Sequence, residues 1–164
     1  MPRRSFKVFN GATAALTAAP VSVATGTSLK TMLQVKPTTP CVVTRWGFSF
    51  ETVPTAVVKV ELITTGTVNA TVTQYAAGDV IKLSDPGGSA SLATLATSGS
   101  GYTSSGEGTV TASRLLDFRN AWEQSYDIQL PLDREYTFDA SNYLRVRMTT
   151  ATTINAVCWV EWEE

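Results

Sequence analysis

Apolar and polar residues alternate along most of this chain. The last third shows it best: Tyr126, Ile128, Leu130 and Leu132, then Leu144, Val146 and Met148, then Ile154, Ala156, Cys158, Val160 and Trp162 recur at every second position. A repeat of two is the spacing of a half-buried β-strand, whose successive side chains point to opposite faces. The same spacing occurs earlier, where Thr44, Trp46, Phe48 and Phe50 alternate with Val43, Arg45, Gly47, Ser49 and Glu51, and where Val58, Val60 and Leu62 alternate with Lys59 and Glu61. Trp46, bulky and central to its run, is the expected heart of the core. Gly66 is expected to turn the strand over 58–62 into a second one over 68–75, making a hairpin. With about eight such runs, the pattern predicts an all-β fold, a two-sheet antiparallel jelly-roll sandwich.

Three regions depart from the alternation. The first 27 residues are rich in Thr and Ala, nearly uncharged after Lys7, and punctuated by Gly11, Pro20 and Gly26. Such a segment has too little apolar surface to fold alone, so residues 1–27 are expected to form an extended N-terminal arm and residues 28–164 a single sandwich domain. Residues 76–108, dense in Gly and Ser, are expected to form a long loop with a turn at Asp85, Pro86, Gly87 and Gly88. Residues 115–122 fit either a helical turn, since Leu115, Phe118 and Trp122 stand at i, i+3 and i+7, or a bulged strand.

A chain of 164 residues that is 43% hydrophobic holds one full core and not two. Its net charge is −1, but the charges are unevenly placed: seven basic residues and one acid through Lys59, then six basic residues and thirteen acids. That separation fits contacts between subunits or with a lattice steered by opposite charge; it equally fits strands that interleave both signs on one surface. No run of 18 apolar residues occurs and no apolar stretch follows Arg3 and Arg4, so neither a membrane span nor a signal peptide is expected. Synthesis in the cytoplasm is the matching expectation. Cys41 and Cys158 both fall in strand-like runs and are expected as buried free thiols, with a disulfide as the alternative.

Histidine is absent, which removes the commonest general base and the commonest transition-metal ligand. The remaining carboxylate pairs, Asp117 with Glu123, Asp133 with Glu135, and Glu161 with Glu163 and Glu164, have no spacing diagnostic of glycoside cleavage. Gly87 and Gly88 lack the lysine that follows a phosphate-binding loop. No catalytic, cofactor or metal site is therefore expected, and no enzyme. Arg3, Arg4 and Lys7 are too few and lack the interleaved aromatics of a nucleic-acid surface. Arg145 and Arg147 share a strand face and are expected to pair with acids on an adjacent strand or subunit. Tyr102, Tyr136 and Tyr143 fit core or rim packing better than sugar stacking.

Several strings resemble a family of small virion proteins from tailed phages of actinobacteria. They are Ser28 to Val35, Trp46 to Phe50, Val58 to Leu62, Asp85 to Gly87 and Pro131 to Glu135, with the strand-rich ending, and they cover most of the chain from about residue 20 onward. The resemblance implies a jelly-roll capsid decoration (cement) protein, a homotrimer on the outer surface of the virion, clamping the major capsid protein lattice near its local three-fold axes. Its partners would be the major capsid protein and copies of itself, with no direct nucleic acid, no membrane and no cofactor. On that reading Arg3, Arg4, Phe6, Lys7 and Phe9 of the arm are the expected capsid contacts, and Arg145, Arg147 and Trp159 the expected oligomer contacts. The alternatives are a carbohydrate-binding sandwich, either a lectin or a phage-displayed adhesin, or another minor virion structural protein.

Overall fold

The computed structural model describes residues 4–14 and 20–164. Its strands are β1 (Ser5–Phe9), β2 (Val23–Ala24), β3 (Lys30–Val35), β4 (Cys41–Phe50), β5 (Val58–Thr64), β6 (Thr71–Gln74), β7 (Ile81–Lys82), β8 (Gly101–Gly106), β9 (Arg114–Ala121), β10 (Ser125–Gln129), β11 (Tyr136–Phe138), β12 (Leu144–Thr150) and β13 (Asn155–Glu163). The first sheet runs β10-β4-β13-β1-β7, with β11 also on β4 and β2 also on β13; the second runs β6-β8-β3-β12-β5-β9. The pairings are antiparallel. All-β architecture in two antiparallel sheets is thus what the alternation specifies.

Between the sheets the alternating apolar rows meet. Trp46 and Phe48 on β4, Val160 and Trp162 on β13, and Phe6 and Val8 on β1 close against Val58, Val60 and Leu62 on β5 and Leu144, Val146 and Met148 on β12. The aromatic centre is tight, with ring centroids 5.5 Å apart for Trp46 and Tyr126 and 5.2 Å for Phe48 and Phe50. Each fully buried large side chain of this kind contributes about 1.5–3 kcal/mol.

Within the segment expected as an extended arm, residues 5–9 and 23–24 are strands paired with the body. Phe6 and Val8 alternate with Lys7 and Phe9, a strand pattern five residues long, and β1 lies between β13 and β7 with Phe6 against Trp162. The next residues are stitched on by buried polar groups. Asn10 donates from Nδ2 to the Ala156 carbonyl and accepts from the Cys158 amide, while the Asp79 carboxylate accepts from the amides of Thr13, Ala14 and Ala76. A buried acceptor with three donors is well satisfied, so this segment has a fixed place.

The expected hairpin of residues 58–62 with 68–75 does not form. β5 sits between β12 and β9, whereas β6 lies at the far edge beside β8. The reason is burial: Val58, Val60, Leu62 and Ile63 need neighbours on both sides, while the exposed Thr71–Gln74 strand suits an edge. Gly66, with φ of 55°, does turn the chain, but residues 65–70 then cross the outer face of the second sheet as a strap. Gln34, fully buried, holds that strap by accepting from the Ala70 amide. The segment over 115–122 is a bulged strand, its irregularity facing Leu62 and Ile63 of β5. The loop over 76–108 is partly ordered into a single 3-10 turn (Ala77–Asp79), β7 and β8, and it contains the expected turn, closed by the Gly88 amide on the Asp85 carbonyl at 3.0 Å.

Cys41 and Cys158 are free and buried. Burial pushes the Cys41 thiol up to about 12 and raises Cys158 and the buried phenol of Tyr75 above their ordinary values of 9.0 and 10.0. Because these groups hold their protons more tightly when folded, their contribution is complete below the unfolded-state values and is lost as pH rises through the folded ones. The Tm is expected to hold level up to about pH 9 and to fall above it. Native thiols are expected to resist a disulfide-exchange reagent at pH 8 until urea is added; rapid native reaction, or a Tm level to pH 11, would contradict this burial.

Candidate functional site

The outer face of the first sheet carries a row of alternating charge. Lys7 on β1 stands opposite Glu161 on β13, which stands opposite Arg45 on β4; Asp127 on β10 stands opposite Gly47, two residues along β4, and meets Arg45 diagonally. Lys7 Nζ lies 2.9 Å from Glu161 Oε1, Arg45 Nη1 lies 3.8 Å from the same oxygen, and Arg45 Nε donates to Asp127 Oδ1 at 2.9 Å. A second Arg45 nitrogen, Nη2, bonds Asp127 Oδ2, so the pair is bidentate. Hydrogen bonding from Arg45 holds the Asp127 carboxyl below its usual value. Both side chains are 40% exposed, so the pair adds little stability. Its effect is to link four charged groups on this face.

An aromatic pair lies beside those charges. Trp159 pairs in register with Gly47 on one side and Phe9 on the other, its ring centroid 6.2 Å from that of Phe9. The indole lies across Gly47: a Cβ at that position would come within 2.6 Å of Trp159 Cζ2 and 2.5 Å of the Tyr126 carbonyl. Glycine inside a strand marks such a close approach. Lys7 Nζ sits 5.0 Å from the Phe9 ring and 5.4 Å from the Trp159 ring, a cation–π contact with both. The indole N–H faces Asp127 without closing a hydrogen bond to it. Gly47→Ala is expected to displace Trp159 and to cost about 1–3 kcal/mol. Urea unfolding and tryptophan fluorescence together check this; an unshifted emission spectrum with unchanged stability would refute the close fit.

The residues expected to make contacts divide into three groups. Lys7, Phe9 and Trp159 converge on the face just described. Phe6 lies in the core and Arg3 falls outside the described residues. Arg4 pairs with Glu164 at 3.5 Å and donates to the Ala90 carbonyl, at the edge of the first sheet. Arg145 and Arg147 do point outward from β12, but both are buried, Arg145 beneath the strap. Arg145 is enclosed, donating to the carbonyls of Glu107 and Val68, with the Glu107 carboxylate at 3.6 Å. Burial lowers its pKa to about 10, which leaves it charged at neutral pH. Arg147 pairs with Glu61, directly opposite on β5, as expected of a cross-strand acid. Neither arginine offers surface to a second molecule; each ties this chain together. Arg145→Ala is expected to cost about 3 kcal/mol by stranding the carbonyls of Glu107 and Val68 and leaving a cavity under the strap, read as a lower denaturation midpoint.

A second surface escaped the pattern of residue types. β9, at the open edge of the second sheet, exposes Leu115 (55%), Phe118 (42%) and Trp122 (58%), the last just past its end. The i, i+3, i+7 spacing of these residues suits a helical turn, but the segment is a strand, and the bulge at Leu116 offsets Leu115 from the alternation. A groove of about 790 Å³ near the opposite flank is lined by Arg4, Lys82, Asp85, Leu92 and Glu164. Its cations are already engaged, Arg4 with Glu164 and Lys82 with the Gly88 carbonyl.

Among the described residues no three metal-ligating side chains converge, and no helix is long and apolar enough to cross a membrane. No protein-family model, curated protein or solved structure matches this chain.

Proposed function

We propose that this chain is a bacteriophage capsid decoration (cement) protein, binding the outer surface of the major capsid lattice as an oligomer and stabilising the head. The observation that carries the reading is the outer face of the first sheet, where Trp159 and Phe9 lie beside the linked charges of Lys7, Glu161, Arg45 and Asp127. Protein interfaces are built this way: aromatic and arginine anchors carry the energy, and charged neighbours set register and exclude wrong partners. An array spread over four strands suits a protein surface better than it suits a small molecule. Each copy contributes a modest contact, and repetition over a lattice turns modest contacts into firm attachment.

The string resemblance to actinobacterial phage virion proteins supports the same reading. The body is read as a jelly-roll variant, because β3, β4 and β5, and later β12 and β13, alternate between the two sheets. Lys7 and Phe9 keep the capsid role assigned to the N-terminal segment, and Trp159 and Arg45 join them. The protein works by binding and needs no cofactor.

Sedimentation of the purified chain with empty shells of its phage tests the proposal. The chain is expected to pellet with shells, and Trp159→Ala and Arg45→Glu to stay folded in the supernatant. A wild-type chain that never pellets, or variants that coat shells normally, would overturn it.

One observation favours a second reading, a carbohydrate-binding sandwich. An indole lying along a sheet beside a bidentate Arg45–Asp127 pair offers a stacking surface and paired hydrogen-bonding groups for a pyranose ring. Binding on a glycan array without shell association would select that reading.

A further inference from the structure

The edge strand β9 has an unpaired side and a self-complementary sequence. It pairs with β5 alone, and the amides of Phe118 and Trp122, which point the same way, donate to the neighbouring carboxylates of Asp117 (2.8 Å) and Glu123 (3.0 Å) rather than to another strand. Three large apolar side chains crowd this edge, Leu115, Phe118 and Trp122. An open edge with exposed apolar residues is a template for strand addition.

We infer that a second copy of this chain pairs antiparallel with β9 about a two-fold axis at Phe118. The charges select that register. Centred on Phe118, Asp117 of each copy falls opposite Arg119 of the other, Phe118 meets Phe118, and Leu115 approaches Ala121. Moving the axis to residue 117 sets Asp against Asp, and moving it to 119 sets Arg against Arg; both are unfavourable. Arg119 is held in place for that pairing: its Nη2 donates to the Tyr126 hydroxyl, its guanidinium lies over the Tyr126 ring at 4.3 Å, and its Nε, without a hydrogen bond of its own, stands 3.6 Å from Asp117 Oδ1 of the same strand. The contact lies on the second sheet's edge, so it leaves the outer face of the first sheet free and stands independently of the capsid reading. A three-fold arrangement would need a different surface.

Sedimentation equilibrium of the full chain, 17.6 kDa, is expected to give a dimer near 35 kDa. Asp117→Arg alone or Arg119→Asp alone is expected to lose the dimer, and the double reversal to restore it. Phe118→Cys is expected to form a disulfide-linked dimer under mild oxidation and Leu115→Cys to form none, with Cys41 and Cys158 buried and silent. The cross-link reads the register on a chain whose Asp117 and Arg119 are intact, so a reversal variant that fails to fold leaves the inference open to refutation. A wild-type monomer or trimer, a dimer indifferent to both single reversals, or the absence of a link through position 118 overturns it.

Discussion

Everything in this molecule depends on the burial of one aromatic-rich layer between two sheets. Trp46, Phe48 and Trp162 fill the middle, and they come from β4 and β13, the two strands with the longest pairing in the fold. With so few charged residues and no histidine, the chain has little else to draw on: the surface ion pairs are too exposed to contribute much, and the buried ones mainly offset their own desolvation. The polar groups that matter structurally are those that bring a loop to the body through two or more hydrogen bonds. Asn10, Gln34, Asp79 and Arg145 each fasten a segment that has no apolar surface of its own, and so let a Thr- and Gly-rich sequence be ordered at all.

Faces are legible in sequence; neighbours are not. The rows Leu144, Val146, Met148 and Ala156, Cys158, Val160, Trp162 are buried as the period of two requires, and Trp46 lies at the centre. The hairpin through Gly66 failed because a turn residue marks where the chain bends and not which strand it then joins; burial on both faces decided that β5 takes an interior place. β1 was obscured by its surroundings, since four alternating residues within a long Ala- and Thr-rich stretch weigh little in any window, yet Phe6 and Val8 suffice to hold a strand once Trp162 is beside them. Arg145 does point away from the core, as alternation demands, but no periodicity announces that a strap will cross above it.

The candidate surfaces follow the same division. Arg45, Lys7 and Glu161 are recognisable as outward positions one strand at a time; only the pairing register brings them into one row. Gly47 stands out as a glycine within a strand, and its purpose becomes visible when Trp159 is found opposite it. Two surfaces with different chemistry then belong to one small body: a sheet face with linked charges beside an aromatic pair, and an edge with free backbone and grease. Such separation lets a protein bind two things at once without competition between them.

β13 comes after every other strand in chain order and yet lies in the middle of the first sheet, between β4 and β1. The interior of that sheet is therefore completed by contacts between distant parts of the chain, a topology that slows folding. Shortening the chain from the β13 end would remove a keystone where, in most sandwiches, it would only trim a margin.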